Sequence, residues 1–171
     1  GAGFYGWNGL RYLLFEYEEE LKRLRNQPRI SWKNFITSEK DKVSIEHIYP
    51  QTPTDQSWVD AFKDHTEEQR NYLTGSLGNL LPLSSSINSS LQNDPFDEKK
   101  NTKEVSGTVV RNGYENGSYS EQEVAAQDVW TAKEIKERGL QLLKFVEKRW
   151  NLSLGNEEAR LKLLHLDFLR T

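Results

Sequence analysis

At 171 residues the chain has room for one domain with a core and appended helices. Charged residues at 29% and hydrophobic ones at 35% are ordinary for a soluble globular protein, and no apolar run is long enough to cross a membrane as a helix. Cysteine is absent, which excludes disulfides, thiol nucleophiles and zinc–thiolate sites, and a net charge of −3, taken alone, argues against a nucleic-acid binder, which normally shows a basic footprint. The charge is uneven: 133–149 holds Lys133, Lys136, Arg138, Lys144, Lys148 and Arg149 against Glu134, Glu137 and Glu147, which allows a modestly basic face. A solvated helix face with mixed pairs is the simpler meaning of that stretch. The opening Gly1-Ala2-Gly3 has no initiator methionine and no secretory pattern, so the chain is expected to be an excerpt of a longer polypeptide.

Trp7, Leu10, Leu14, Tyr17, Leu21 and Leu24 recur at spacings of three and four, predicting an amphipathic helix that Pro28 stops. Residues 16–25 supply its charged flank. A second short helix is expected from Ser31, with Trp32, Phe35 and Ile36 turned inward. Residues 42–50, KVSIEHIYP, alternate β-branched and polar positions up to a proline and predict a strand. Residues 57–74, with Trp58, Phe62 and Tyr72 among charges, predict a helical insertion. A second strand is expected over 77–83, and a helix capped from Ser84–Ser86 through Ile87, Asn88 and Leu91.

From 99 to 122 the composition shifts to Gly, Asn and Ser. This stretch predicts a loop, with Asn112-Gly113 and Asn116-Gly117 as turns and a small hairpin over 108–114. Thr131-Ala132-Lys133-Glu134 is a capping box that opens a helix through Ile135, Leu142, Leu143, Val146 and Trp150. Asn156 caps a last helix with Leu161, Leu164 and Phe168 on one face. The pattern as a whole is α+β.

Three pieces carry chemistry: Glu46-His47 at the end of the first strand, Asn79 on the second, and Asn88 on the helix after it. A histidine near its ordinary pKa of about 6.5 can take a proton from water. Carboxylate and amide oxygens suit a hard divalent cation such as Mg²⁺. Adjacent strand residues point to opposite faces, so Glu46 and His47 serve one site only if the chain twists as it leaves the strand, as Pro50 allows. A histidine beside a glutamate is common on ordinary surfaces; the order strand, loop, strand, helix brings the site reading level with that one. His65, among Asp64, Glu67 and Glu68, reads as structural or exposed, and His165, beside Leu164 and Leu166, as partly packed.

The strings Ile45-Glu46-His47-Ile48-Tyr49-Pro50-Gln51, Leu77-Gly78-Asn79-Leu80, then Asn88, then Phe96 with Lys99, resemble the HNH (ββα-metal) superfamily. They are closest to the C-terminal nuclease domain of GmrSD-type, modification-dependent restriction enzymes. Trp130, Ile135, Arg138, Leu142 and Trp150 resemble that family's C-terminal helical signature, and Tyr5-Gly6-Trp7-Asn8-Gly9-Leu10-Arg11 its entry helix. The resemblance covers nearly the whole chain.

It implies a single nuclease domain over 1–171: N-terminal helices in 1–40, a small antiparallel ββα-metal core in 42–99 with the insertion 57–74, a loop region in 100–129 and C-terminal helices in 130–171. It further implies His47 as base, Asn79 as organiser of the loop, Glu46 and Asn88 as ligands of Mg²⁺ or Mn²⁺ with their oxygens aimed at one point, and Lys99 and Arg138 as candidate phosphate contacts. Glu46 and Asn88 depart from the aspartate and second histidine frequent in relatives, and zinc knuckles are absent. The partners implied are DNA and an upstream sensor or NTPase domain of the same polypeptide, in a bacterial cytoplasm, for defence against phage or other foreign DNA. The alternatives are an inactive DNA-binding or scaffold module and an RNA-directed nuclease.

Overall fold

The computed structural model describes residues 3–28, 44–83, 91 and 93–170. Its first helix, α1 (Leu10–Leu24), buries Leu10, Leu13, Leu14, Tyr17 and Leu21 along one stripe. The ends of the expected stripe stay outside: Trp7 and Leu24 are exposed. Trp7 precedes the helix and lies across Gly9, where a Cβ would sit 2.4 Å from the indole, so its ring covers backbone instead of core. The charged flank is also partly inside. Glu16 and Glu19 are buried and pair with Arg149 at 3.1 Å and Lys22 at 3.0 Å. The helix expected from Ser31 lies outside the described residues.

Strands β1 (Ile45–His47) and β2 (Leu80–Pro82) pair antiparallel, with Glu46 opposite Leu81 and His47 opposite Leu80. Each occupies three residues of the stretches 42–50 and 77–83 expected to be strands, of which 42–43 lie outside the described residues. Residues Leu77–Asn79 form a 3-10 turn because Gly78 is pressed against another backbone: a Cβ there would lie 2.0 Å from the Ile135 carbonyl oxygen. Only glycine admits that approach.

Between the strands the insertion folds as two helices, α2 (Gln56–Ala61) and α3 (Glu67–Gly75), not one. Asp55 caps the first, and a Thr66–Gln69 capping box restarts the chain as the second. Trp58 and Phe62 seal this unit onto the strand pair, the Phe62 ring stacking on Tyr49 at 3.7 Å. Helix α4 (Phe96–Lys100) adds Phe96, whose ring meets Trp130 at 5.6 Å.

The loop region holds more structure than its composition suggests. A hairpin of β3 (Lys103–Val105) and β4 (Thr108–Arg111) turns at Ser106-Gly107, with φ of 51° and 77°. The Asn112-Gly113 turn expected from sequence is not its turn. Gly113 is extended and sits where a Cβ would come within 2.3 Å of the Lys100 carbonyl oxygen. Helix α5 (Tyr119–Ala125) follows, opened by a Ser118–Glu121 capping box that was readable but hidden in the Gly- and Asn-rich run. The Glu18 carboxylate of α1 also accepts from the Tyr119 and Ser120 amides at 2.9 and 2.8 Å, fastening α5 to α1.

Helix α6 (Ala132–Trp150) begins at the Thr131–Glu134 box and buries Ile135, Leu142 and Leu143. Helix α7 (Glu157–Leu163) begins at Asn156. It ends before His165, which takes a left-handed φ of 58° and is exposed, its ring stacked on Tyr72 at 5.8 Å. His65 lies half-buried between Phe62 and Phe168. The architecture is α+β: seven helices and two small antiparallel sheets among the described residues, around one core that runs from Leu10 to Leu166. No helix among the described residues is long and apolar enough to cross a membrane.

Candidate active site

Strand β1 alternates in burial, yet Glu46 and His47 both contribute to the wall of one cavity. Glu46 is buried and His47 half-buried. His47 stands at a cavity of about 370 Å³ whose wall includes Tyr5, Arg11, Gln51, Thr52 and Asn93. The Tyr5 ring rests 4.6 Å from the imidazole, tilted by 35°. Burial and the positive charge of Lys99 pull the His47 pKa down to about 4, so the ring is neutral at pH 7 and one nitrogen can accept a proton.

The chain leaves β1 through a clamp built by Asn79. Its Oδ1 accepts from the Tyr49 amide at 2.8 Å and from the Trp130 indole at 3.1 Å, while its Nδ2 donates to the Tyr49 and Thr74 carbonyls, both at 3.0 Å. Asn79 is fully buried, and these four bonds match the two acceptor and two donor sites of an amide. The clamp ends the β ladder: the Ile48 amide donates to the Asn79 carbonyl at 2.9 Å, and the next residue pairs with a side chain instead of a strand.

Asn79→Ala would orphan the Tyr49 amide, the Tyr49 carbonyl and the Trp130 indole together. A loss of about 2–3 kcal/mol is expected on urea unfolding, from the cost of buried groups left unpaired. A loss below about 1 kcal/mol would show that the loop holds its shape without the clamp.

On the other face of β1, the Glu46 carboxylate accepts from the Lys99 ammonium at 3.2 Å and from the Tyr114 hydroxyl. Lys99 also donates to the His47 and Ile48 carbonyls at 3.2 and 2.9 Å. Burial pushes the Glu46 carboxyl up and the Lys99 ammonium down, each opposed by the charge of the other. The three donors of an ammonium meet three acceptors here, so the pair is read as ionised. Tyr114, fully buried, is not singled out by the sequence, where it is one of two tyrosines in a Gly- and Asn-rich stretch.

Of the two candidate phosphate contacts, neither reaches the cavity. Lys99 has no exposed surface. Arg138, 6% exposed, donates through Nη1 to the Gly78 and Leu80 carbonyls at 3.0 and 2.8 Å and so braces α6 against the turn that carries Asn79. Asn88, expected as a cation ligand with Glu46, lies outside the described residues. The described residues do not by themselves fit a divalent cation. Both Glu46 oxygens are engaged by Lys99 and Tyr114, and no group of three His, Asp or Glu side chains converges among them.

Comparison with known proteins gives one family: the model of the C-terminal domain of GmrSD restriction endonucleases matches residues 2–145. No curated protein matches the chain.

Proposed function

Because the chain belongs to the C-terminal-domain family of GmrSD restriction endonucleases, we propose that it is an HNH-type domain that hydrolyses DNA phosphodiesters with His47 as general base. The observation that carries this reading is the neutral His47 ring at an open cavity, on a loop that Asn79 fixes with four hydrogen bonds. A base must be unprotonated before it acts and basic enough to take the proton in the transition state. A pKa near 4 secures the first condition, and an arriving phosphate anion favours the imidazolium and so serves the second. The Tyr5 ring lies against the imidazole, and Lys99 and Asn79 hold the backbone from the His47 carbonyl through Tyr49.

Dependence on Mg²⁺ or Mn²⁺ belongs to the proposal, with Glu46 and Asn88 as ligands by family resemblance. Such a cation would neutralise charge on the phosphate and the leaving oxygen. Glu46 would have to share its oxygens with Lys99 and Tyr114 to hold it. The setting proposed is a bacterial cytoplasm, with an N-terminal domain of the same polypeptide supplying recognition of modified DNA.

The test is incubation with supercoiled plasmid and with a structured RNA, in Mg²⁺, in Mn²⁺ and in EDTA. Plasmid cleavage with either metal and none in EDTA is the expected result. Cleavage of RNA in preference to plasmid would redirect the proposal to an RNA nuclease. Intact nucleic acid in every condition would leave a binding or scaffold module, and cleavage that persists in EDTA would remove the metal.

A further inference from the structure

Hydrolysis of a phosphodiester gathers negative charge on the phosphate oxygens, and a fixed cation beside the base lowers that barrier. Neither cation that the sequence offers for this task lines the cavity: Lys99 is fully buried beside Glu46, and Arg138 is buried against the Gly78 and Leu80 carbonyls. Among the described residues that wall the His47 cavity, one is a lysine or arginine, and it is Arg11.

Arg11 is an exposed residue in the first turn of α1. Its neighbours Leu10, Leu13 and Leu14 are all buried, which fixes the rotation of the helix and keeps position 11 on the cavity side. The segment before it is fastened as well. The Phe4 amide donates to the Gly75 carbonyl at 2.9 Å, and Tyr5 lies against His47. The N-terminal segment, far in sequence from β1 and β2, thus contributes an aromatic residue and a cationic one to the wall of the same cavity.

We propose that Arg11 is the residue that grips the DNA phosphate presented to His47. A guanidinium holds two phosphate oxygens in a planar fork, which an ammonium cannot reproduce. The assignment rests on the reading of the chain as a DNA-cleaving domain, and its consequences reach beyond cleavage. Binding without turnover should depend on Arg11 and be insensitive to DNA sequence, because a phosphate contact carries no base information.

The experiment measures binding of a fluorescent DNA duplex to the His47→Ala chain in EDTA, across roughly 50–200 mM salt, with and without Arg11→Gln. Arg11→Gln should weaken binding equally for unrelated duplexes and reduce the salt slope by about one. Lys162→Gln removes the same charge from α7, away from the cavity wall, and should leave the slope as it was. With His47 restored, Arg11→Lys should keep the slope and lower kcat/KM, because charge survives and the fork does not.

An unchanged slope and unchanged kcat/KM for the Arg11 variants would overturn the assignment, as would an equal loss for Lys162→Gln. If Arg11→Gln fails to fold, Arg11→Lys decides alone: full kcat/KM would refute the phosphate grip. A wild-type chain that neither binds nor cleaves DNA would overturn the nuclease reading and this assignment together. A cleaving wild type with indifferent Arg11 variants would overturn this assignment only.

Discussion

His47→Ala is expected to lower DNA cleavage by about 10²–10⁴-fold, the usual cost of losing a positioned base, while the fold survives. The ring is half-buried and forms part of a cavity wall, so its removal widens an opening that water already enters. The expectation has a second signature in pH. The rate should follow the neutral fraction of His47, and kcat/KM reports the unliganded protein. With the folded pKa near 4, kcat/KM should stay level as pH falls through 6.5 and decline only near 4. The same shift has a stability consequence. Between about 4 and 6.5 the unfolded chain binds the proton more readily than the folded one, so this group's contribution to stability falls as pH is lowered through that window. Cleavage by His47→Ala at the wild-type rate would remove His47 from the reaction. A half-maximal kcat/KM near 6.5 would show a ring more hydrated than the cavity implies.

How much of this was legible in the sequence depends on whether the deciding partner is near in the chain. The Thr131–Glu134 and Asn156 helix starts are local events of three residues, and both stand where the sequence puts them. The strand pair is legible for the same reason, from alternation in one strand and an apolar run in the other. Its length is not, because the ladder stops where Asn79 captures Tyr49, thirty positions away. Asn112-Gly113 favours a turn by composition, but the hairpin turns at Ser106-Gly107, and Gly113 is spent on a close approach to the Lys100 and Asn101 carbonyls. Lys99 and Lys100 are neighbours of identical type in a charged run. Nothing local says that Lys99 is buried against Glu46 while Lys100 reaches Asp97, the Gln127 carbonyl and the Phe96 ring. The N-terminal contribution to the cavity was invisible for a related reason: Tyr5 meets His47 on a segment fastened by the Phe4 amide to the Gly75 carbonyl of α3, far away in the chain.

The buried pair on the far side of β1 gives the largest expected effect on stability. Lys99→Met keeps much of the side-chain volume and removes the charge, leaving the Glu46 carboxylate enclosed with the Tyr114 hydroxyl as its remaining partner of the two. Breaking one half of a buried ion pair costs about 3–5 kcal/mol, because the surviving charge keeps its desolvation cost and loses its compensation. The same change strips the His47 and Ile48 carbonyls of a donor, so the end of β1 should loosen and cleavage should fall with stability. The deficit should depend on pH in a direction that a packing defect would not share. Burial already pushes the Glu46 carboxyl up, and without Lys99 nothing cationic opposes that shift in the pair. A carboxyl whose folded pKa lies above its unfolded value stabilises below the unfolded pKa and loses that contribution as pH rises through the folded one. Urea unfolding of Lys99→Met should therefore show a smaller deficit near pH 4–5 than at pH 7, by the ordinary carboxylate range. Adding Glu46→Gln should recover part of the loss at pH 7, since the double variant buries no uncompensated charge. A deficit that is equal at both pH values and untouched by Glu46→Gln would show that Lys99 holds β1 through the two carbonyls alone.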